Sequence, residues 1–183
     1  REDNAEFANP GYNDSKWHNV TVPHDWAMYG PFSSKNDKQE MAITQDGQTE
    51  AMEHAGRTGG LPFVGTGWYR LNFDAPGFEK GKKATLIFDG AMSHARVYVN
   101  GQEAGYWPYG YNSFYVDATP YLKLGERNEL AVRLENEPES SRWYPGAGLY
   151  RNVHLVINED THIPAWGTYV TTPVVTDKYA TVS

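Results

Sequence analysis

The 183-residue chain contains no cysteine. That excludes disulfides, thiolate catalysis and cysteine-built zinc sites, and leaves the redox compartment open. Long apolar runs are missing as well; none approaches the roughly 20 residues that a membrane helix needs. Basic charge is scarce: 16 Lys and Arg face 23 Asp and Glu, for a formal net charge of -7. A surface of that sign repels phosphate backbones and anionic lipid heads, so neither nucleic acid nor a membrane is an expected partner. His18, His24, His54, His94, His154 and His162 include no i,i+4 pair or other metal-ligand spacing, and no metal site is read from them. Gly-x-Ser-x-Gly, phosphate-loop and dinucleotide fingerprints are absent too, so the motifs imply no cofactor. No secretory signal pattern opens the chain, which says little of a sequence starting at Arg1.

Aromatic residues, by contrast, are abundant: 6 Trp, 13 Tyr and 7 Phe make up 14% of the chain. A sheet protein uses such residues as strand formers, whereas a saccharide site stacks them on sugar C–H faces. Period-2 alternation takes over from Trp68. Tyr69, Leu71 and Phe73 share one face; Arg70, Asn72 and Asp74 share the other. Ala84, Leu86 and Phe88 alternate next, then Ala95, Val97 and Val99. Leu130, Val132 and Leu134 repeat the pattern, and Val153, Leu155 and Ile157 close it. Each run is short and bounded by Gly, Pro, Asn or Asp clusters, as antiparallel strands are. Asn100-Gly101 predicts a type I′ hairpin, because both central residues need positive φ. Asp89-Gly90 is read as a second turn able to take that geometry. Helical character is confined to one turn at residues 119–122, with Pro120 in the first helical position behind Thr119. Many strands with almost no helix predict an all-β, two-sheet antiparallel sandwich of the jelly-roll kind.

Two stretches behave differently. Residues 33–60 are polar, carry several glycines and keep no period; they read as a long loop that either shapes a site rim or moves. Residues 161–183 read as a linker with strand-like runs at 166–170 and 180–182, after a last sandwich strand at 153–157. Asn136-Glu137-Pro138 looks like the acid/base motif of a glycosidase barrel. That setting needs strands alternating with long helices and a second carboxyl about 5 Å away. Glu135, Glu137 and Glu139 are therefore read as a solvated strand end. On a strand, His24 and Asp25 would point to opposite faces, so the pair is read as tying a turn rather than as a catalytic dyad. The richest stretch is 140–151, Ser-Ser-Arg-Trp-Tyr-Pro-Gly-Ala-Gly-Leu-Tyr-Arg. Its Arg142, Trp143 and Tyr144 offer a fork of donors beside a stacking plate, on a Pro/Gly-rich loop between strands. The same two aromatics folded back as a lid over the core are an equal reading.

Pro23-His24-Asp25-Trp26, Gly67-Trp68-Tyr69-Arg70, Phe88-Asp89-Gly90, Val97-Tyr98-Val99-Asn100-Gly101 and the run from Arg142 to Arg151 stand in that order. As a set they resemble the landmarks of the sugar-binding N-terminal domain of family 2 glycoside hydrolases, over most of residues 12–157. Arg57-Thr58-Gly59-Gly60-Leu61-Pro62, followed by Gly65-Thr66-Gly67-Trp68-Tyr69-Arg70, is more similar to the β-galactosidase branch than to the glucuronidase or mannosidase branches. The resemblance implies a galactose-binding-domain-like jelly roll over residues 1–159, short of the family's first strand. Residues 160–183 would be a linker and the first strand of a following immunoglobulin-like domain.

The function implied is that of the sugar-binding domain of a retaining β-galactosidase acting on terminal β-galactosides. In the family, a downstream (β/α)8 barrel supplies one Glu as nucleophile and another as acid then base. No catalytic residue is then expected here, and the chain alone is predicted inactive, shaping the pocket rim and packing on that barrel. The implied partners are a galactoside carbohydrate and the chain's own downstream immunoglobulin-like and barrel domains; a homo-oligomer of the full-length protein is compatible with this. Arg142 and Trp143, with Arg57 and Thr58 behind them, are the sugar-contact candidates. Some β-galactosidases carry a sugar- and cation-binding Asp in the loop before the Gly-Leu-Tyr-Arg element; Arg142 stands there in this chain, so no cation site carries over. The alternatives are a free-standing carbohydrate-binding module and a β-glucuronidase or other family 2 specificity. For the compartment, periplasm or secretion is favoured over the cytoplasm.

Overall fold

A computed structural model of the chain describes residues 3–36, 38–55, 63–77, 81–138, 140 and 145–183. Its strands are β1 (Lys38–Met41), β2 (Met52–Ala55), β3 (Gly65–Asp74), β4 (Lys83–Phe88), β5 (Ala95–Val99), β6 (Gln102–Trp107), β7 (Phe114–Asp117), β8 (Arg127–Asn136), β9 (Val153–Asn158), β10 (Val174–Val175) and β11 (Ala180–Thr181). Two antiparallel sheets make the body: four strands in the order β3-β8-β5-β6, and three in the order β7-β4-β9. The alternating aliphatics named above meet between them. Ala95, Val97 and Val99 of β5 and Leu130, Val132 and Leu134 of β8 pack with Leu86, Phe88, Phe114 and Val116 of the other layer. Phe88 and Phe114 stack with centroids 4.7 Å apart, and Trp107 adds a third ring 5.9 Å from Phe114. Burying each such side chain stabilises the sandwich by about 1.5–3 kcal/mol.

The hairpin between β5 and β6 forms as its dipeptide predicts, with φ of 50° at Asn100 and 80° at Gly101. Asn100 does more than turn the chain. Its side chain donates to the Tyr121 carbonyl (2.8 Å) and to Asn128 Oδ1 (2.7 Å), and its own Oδ1 accepts from the Glu129 amide. Asn128, 1% exposed, accepts from the Lys123 amide and donates to the carbonyls of Lys123 and Glu126. This buried polar knot locks the β7–β8 connection to the hairpin at one end of the sandwich.

Several local expectations are corrected by the tertiary structure. Residues 119–122 form a turn, not a helix: Tyr121 and Leu122 both donate to the Ala118 carbonyl, and the Thr119 hydroxyl instead bonds the backbone of Ala84. Asp89-Gly90 is no positive-φ turn. Gly90 is small because the Tyr150 ring lies on it; a Cβ there would sit 2.6 Å from that ring. Residues 33–60 are not one long loop, since β1 and β2 pair antiparallel within it around a 3-10 turn at Thr44–Asp46. Strand pairing near the C-terminus runs between β10 and β11 rather than through residues 166–170.

On β3, Tyr69 and Phe73 pack against the core, yet Leu71 between them is 56% exposed because β3 is the sheet edge. Arg70, on the outer face, is the buried one, its side chain 2% exposed. It bonds Asp14 (3.0 Å), Glu129 (2.5 Å) and the carbonyls of Phe7 and Asn9. These contacts hold the N-terminal segment over the four-stranded sheet. There Phe7 stands edge-on to Tyr12, Trp17 and Trp68, so Trp68 packs under that segment rather than in the core.

Candidate functional site

The site is built where β3 begins and β8 ends. Gly65 and Asn136 are cross-strand partners at that end, so residues 56–62 lead into it and residues 137–145 leave from it. Asn136, buried, donates its side-chain amide to the Gly146 carbonyl at 3.1 Å, which fixes the far foot of the second segment. Gly148 then exchanges two backbone hydrogen bonds with Met92, at 3.0 and 3.1 Å.

Against this foot lies the Pro23–Asp25 segment. The His24 amide donates to the Leu149 carbonyl at 2.8 Å. Asp25 caps the 3-10 turn Trp26–Tyr29 by accepting from Ala27 N (2.9 Å), and the same oxygen accepts from Ala147 N (3.0 Å). Gly148 has to be glycine: φ is +104°, and a Cβ would fall 2.7 Å from the His24 carbonyl as well as on the Tyr69 hydroxyl.

His24 Nδ1 lies 2.7 Å from the Tyr69 hydroxyl, whose other acceptor, the His24 carbonyl, is at 3.4 Å. Burial pushes the Tyr69 phenol well above its usual range, keeping it a proton donor. Burial also lowers the His24 pKa, against an opposing pull from the Asp25 charge, which favours the neutral ring. The Tyr69 hydroxyl thus engages one ring nitrogen and leaves Nε2 as the other polar atom of the ring. The His24-Asp25 pair ties a turn to the 146–149 segment, the imidazole bonding Tyr69 and the carboxylate bonding Ala27 and Ala147.

Pro23, His24, Asp25, Met28, Tyr29 and Tyr150 line an open depression of about 210 Å³. Tyr29 stands over it with its ring stacked on His24, centroids 5.3 Å apart and planes within 12°. Tyr150 is anchored by its hydroxyl, which donates to the Gly110 carbonyl at 2.5 Å.

Arg142, Trp143, Arg57 and Thr58 lie outside the described residues, as do Tyr144 and Glu139. Their segments' feet are described, and both join the sheet at the Gly65–Asn136 end. Glu137 is exposed and faces His94 Nε2 at 3.6 Å, while Glu135 pairs with Arg133 at 2.9 Å. Among the described residues no three metal-ligating side chains converge, and no helix is long and apolar enough to cross a membrane. Sequence reasoning missed Met28 and Tyr29: they sit in a short 3-10 turn whose only signal is the capping Asp25.

The two stacked antiparallel sheets, with their loops gathered at one end, define a jelly-roll β-sandwich domain. The model of glycosyl hydrolases family 2, sugar binding domain, matches residues 5–159, and the chain belongs to that family. It is 41% identical over 182 residues, 99% of its length and 19% of the relative's, to the β-galactosidase BoGH2A of Bacteroides ovatus. It is 30% identical over 193 residues, covering 94% of this chain and 18% of the relative, to a β-glucuronidase of Formosa agariphila. A solved glycosyl hydrolase family 2 member from Bacteroides cellulosilyticus superposes with a TM-score of 0.79 at 37% identity, over 100% of this chain and 22% of that one. The chain thus spans about a fifth of the length of these relatives.

Proposed function

We propose that this chain is the pocket-rim domain of a retaining family 2 glycoside hydrolase that removes terminal β-galactosides. One observation carries the reading: the Gly65–Asn136 pairing brings the feet of residues 56–62 and 137–145 together at the end where His24 and Asp25 clamp residues 147–149. Arg142, Trp143, Arg57 and Thr58 belong to those two segments, and contact the saccharide in this reading. The galactoside preference is supported by the 41% identity to a protein named β-galactosidase. A β-glucuronidase specificity is the second reading, favoured by the relative of that name.

The carboxylates of the double displacement belong to a (β/α)8 barrel outside the 183 residues, so the chain by itself does not hydrolyse. Residues 160–183 serve as the linker and opening strand of an immunoglobulin-like domain. Trp166, Tyr169, Val175, Tyr179 and Val182 are 61–85% exposed, as side chains awaiting a covering domain are.

The test is kinetic. In the full-length enzyme, Arg142→Ala raises KM or lowers kcat/KM on an aryl β-galactoside; unchanged constants reject the rim role of that segment. Comparing aryl β-galactoside with aryl β-glucuronide as substrates decides between the two specificities. Calorimetric titration of the 183-residue chain with galactose and lactose gives weak or no heat in this reading. Strong binding would mark a free-standing carbohydrate-binding module instead.

A further inference from the structure

We infer that Tyr29 is a stacking platform for a hexopyranoside, with the depression beside it as a saccharide subsite built entirely within this chain. The inference rests on the family's sugar-binding character and assigns a role to residues other than 56–62 and 137–145. Its first support is an unusual combination at Tyr29. Tyr29 is 75% exposed, yet one face of its ring is backed by His24.

That backing is rigid at every step. The His24 ring is held by the Tyr69 hydroxyl, its amide by Leu149, and the turn carrying Tyr29 is capped by Asp25. An aromatic ring already fixed in place loses little conformational freedom when a ligand settles on it, which is what makes such rings good anchors. The C–H face of a pyranose is weakly positive and complements the negative face of the π-system.

The second support is the chemistry of the floor. Nδ1 is engaged by the Tyr69 hydroxyl, and among the described residues Nε2 has no partner. That nitrogen is a polar contact available to a sugar hydroxyl, which can both donate and accept. Apolar wall comes from Pro23, Met28 and Tyr150, with Met28 67% exposed. At about 210 Å³ the depression is smaller than the roughly 300–1,000 Å³ of drug-sized pockets, which suits one ring rather than a chain of them. One stacked ring and one polar contact imply affinity on the order of millimolar.

Saturation-transfer NMR on the 183-residue chain reads binding of that strength. The probes are methyl β-D-galactopyranoside and methyl β-D-glucopyranosiduronate. Transfer is expected to the ring C–H protons of at least one probe, strongest on a single face of the sugar. Tyr29→Ala should weaken it on the order of tenfold, since a tenfold change corresponds to about 1.4 kcal/mol and an aromatic contact is worth about that. Tyr29→Phe should keep it, and Tyr179→Ala, in the C-terminal hairpin region, should leave it unchanged. Tyr29 is exposed, so an unaltered circular dichroism spectrum is expected of the Ala variant. No transfer to either probe overturns the inference, as does transfer that survives Tyr29→Ala. Neither result bears on the Arg142→Ala kinetics, so failure of the platform and failure of the rim reading are told apart.

Discussion

Replacing Asn128 by alanine should destabilise this domain without touching its sugar-facing end. In the folded chain its amide oxygen accepts from Asn100 Nδ2 and the Lys123 amide, and its amide nitrogen donates to the carbonyls of Lys123 and Glu126, all at 2.7–2.8 Å. Alanine strands two donors and two acceptors at once. A fully buried stranded group costs about 1–3 kcal/mol, so a simple sum would reach about 4–12. Lys123 and Glu126 are exposed residues, however, and water reaches part of their backbone. The expected net loss is therefore about 3 kcal/mol, a large share of the ~5–15 kcal/mol typical of a domain. For a chain of this length that lowers Tm by roughly 6–12 °C. Urea unfolding followed by tryptophan fluorescence reads it, with the m-value unchanged. Asn128→Asp supplies a check on the cause. Its second oxygen would face two carbonyls, so the deficit should be larger at neutral pH and shrink as acid protonates the carboxyl and restores a donor. A loss below about 1 kcal/mol in the alanine variant would refute the account of the knot as a network without substitutes.

Three further outcomes follow from other parts of the sandwich. Arg70→Met leaves Glu129 buried beside an apolar chain and frees the N-terminal segment; a loss of about 3–5 kcal/mol in denaturant unfolding is expected, and less than 1 would count against the pairing. Gly148→Ala puts a side chain at φ +104° and against the His24 carbonyl, costing more than about 3 kcal/mol, whereas Gly77→Ala, whose Cβ would meet only the Gly125 Cα at an ordinary 3.9 Å, stays within about 0.5 kcal/mol in the same melts. The His24 pKa is lowered in the folded state, chiefly by burial, so the unfolded chain binds that proton more readily. Its stability contribution is therefore complete above the ordinary histidine value near 6.5 and declines as pH falls below it. The Tm difference between pH 7.5 and 5.5 should be smaller in His24→Gln than in the parent chain.

The elements whose shape is set by near neighbours were legible. Ala95, Val97 and Val99 are all fully buried, as strict alternation demands, and Asn100-Gly101 makes its turn because two adjacent residues supply both positive φ values. The same period misled at β3, where Leu71 and Arg70 exchange their expected environments. Alternation reports which side of a sheet a residue faces; it does not report whether another layer covers that side. Leu71 is left 56% exposed, while over Arg70 lies a segment some sixty positions earlier in the chain, docked by Asp14 and the Phe7 and Asn9 carbonyls.

What the amino-acid order determined alone was the all-β character, the inward faces of the central strands, the β5–β6 hairpin and, through the order of its motifs, the family. Tertiary structure alone decided that Asp25 would hold Ala147 across 122 positions and that Tyr69 would orient His24 across 45, leaving Tyr29 braced and open. Local preference is encoded in a few adjacent residues and survives in any context. A site of this kind is a set of long-range hydrogen bonds, each weak in an unfolded chain, and they take hold only once the two sheets have closed and water has been excluded from between them.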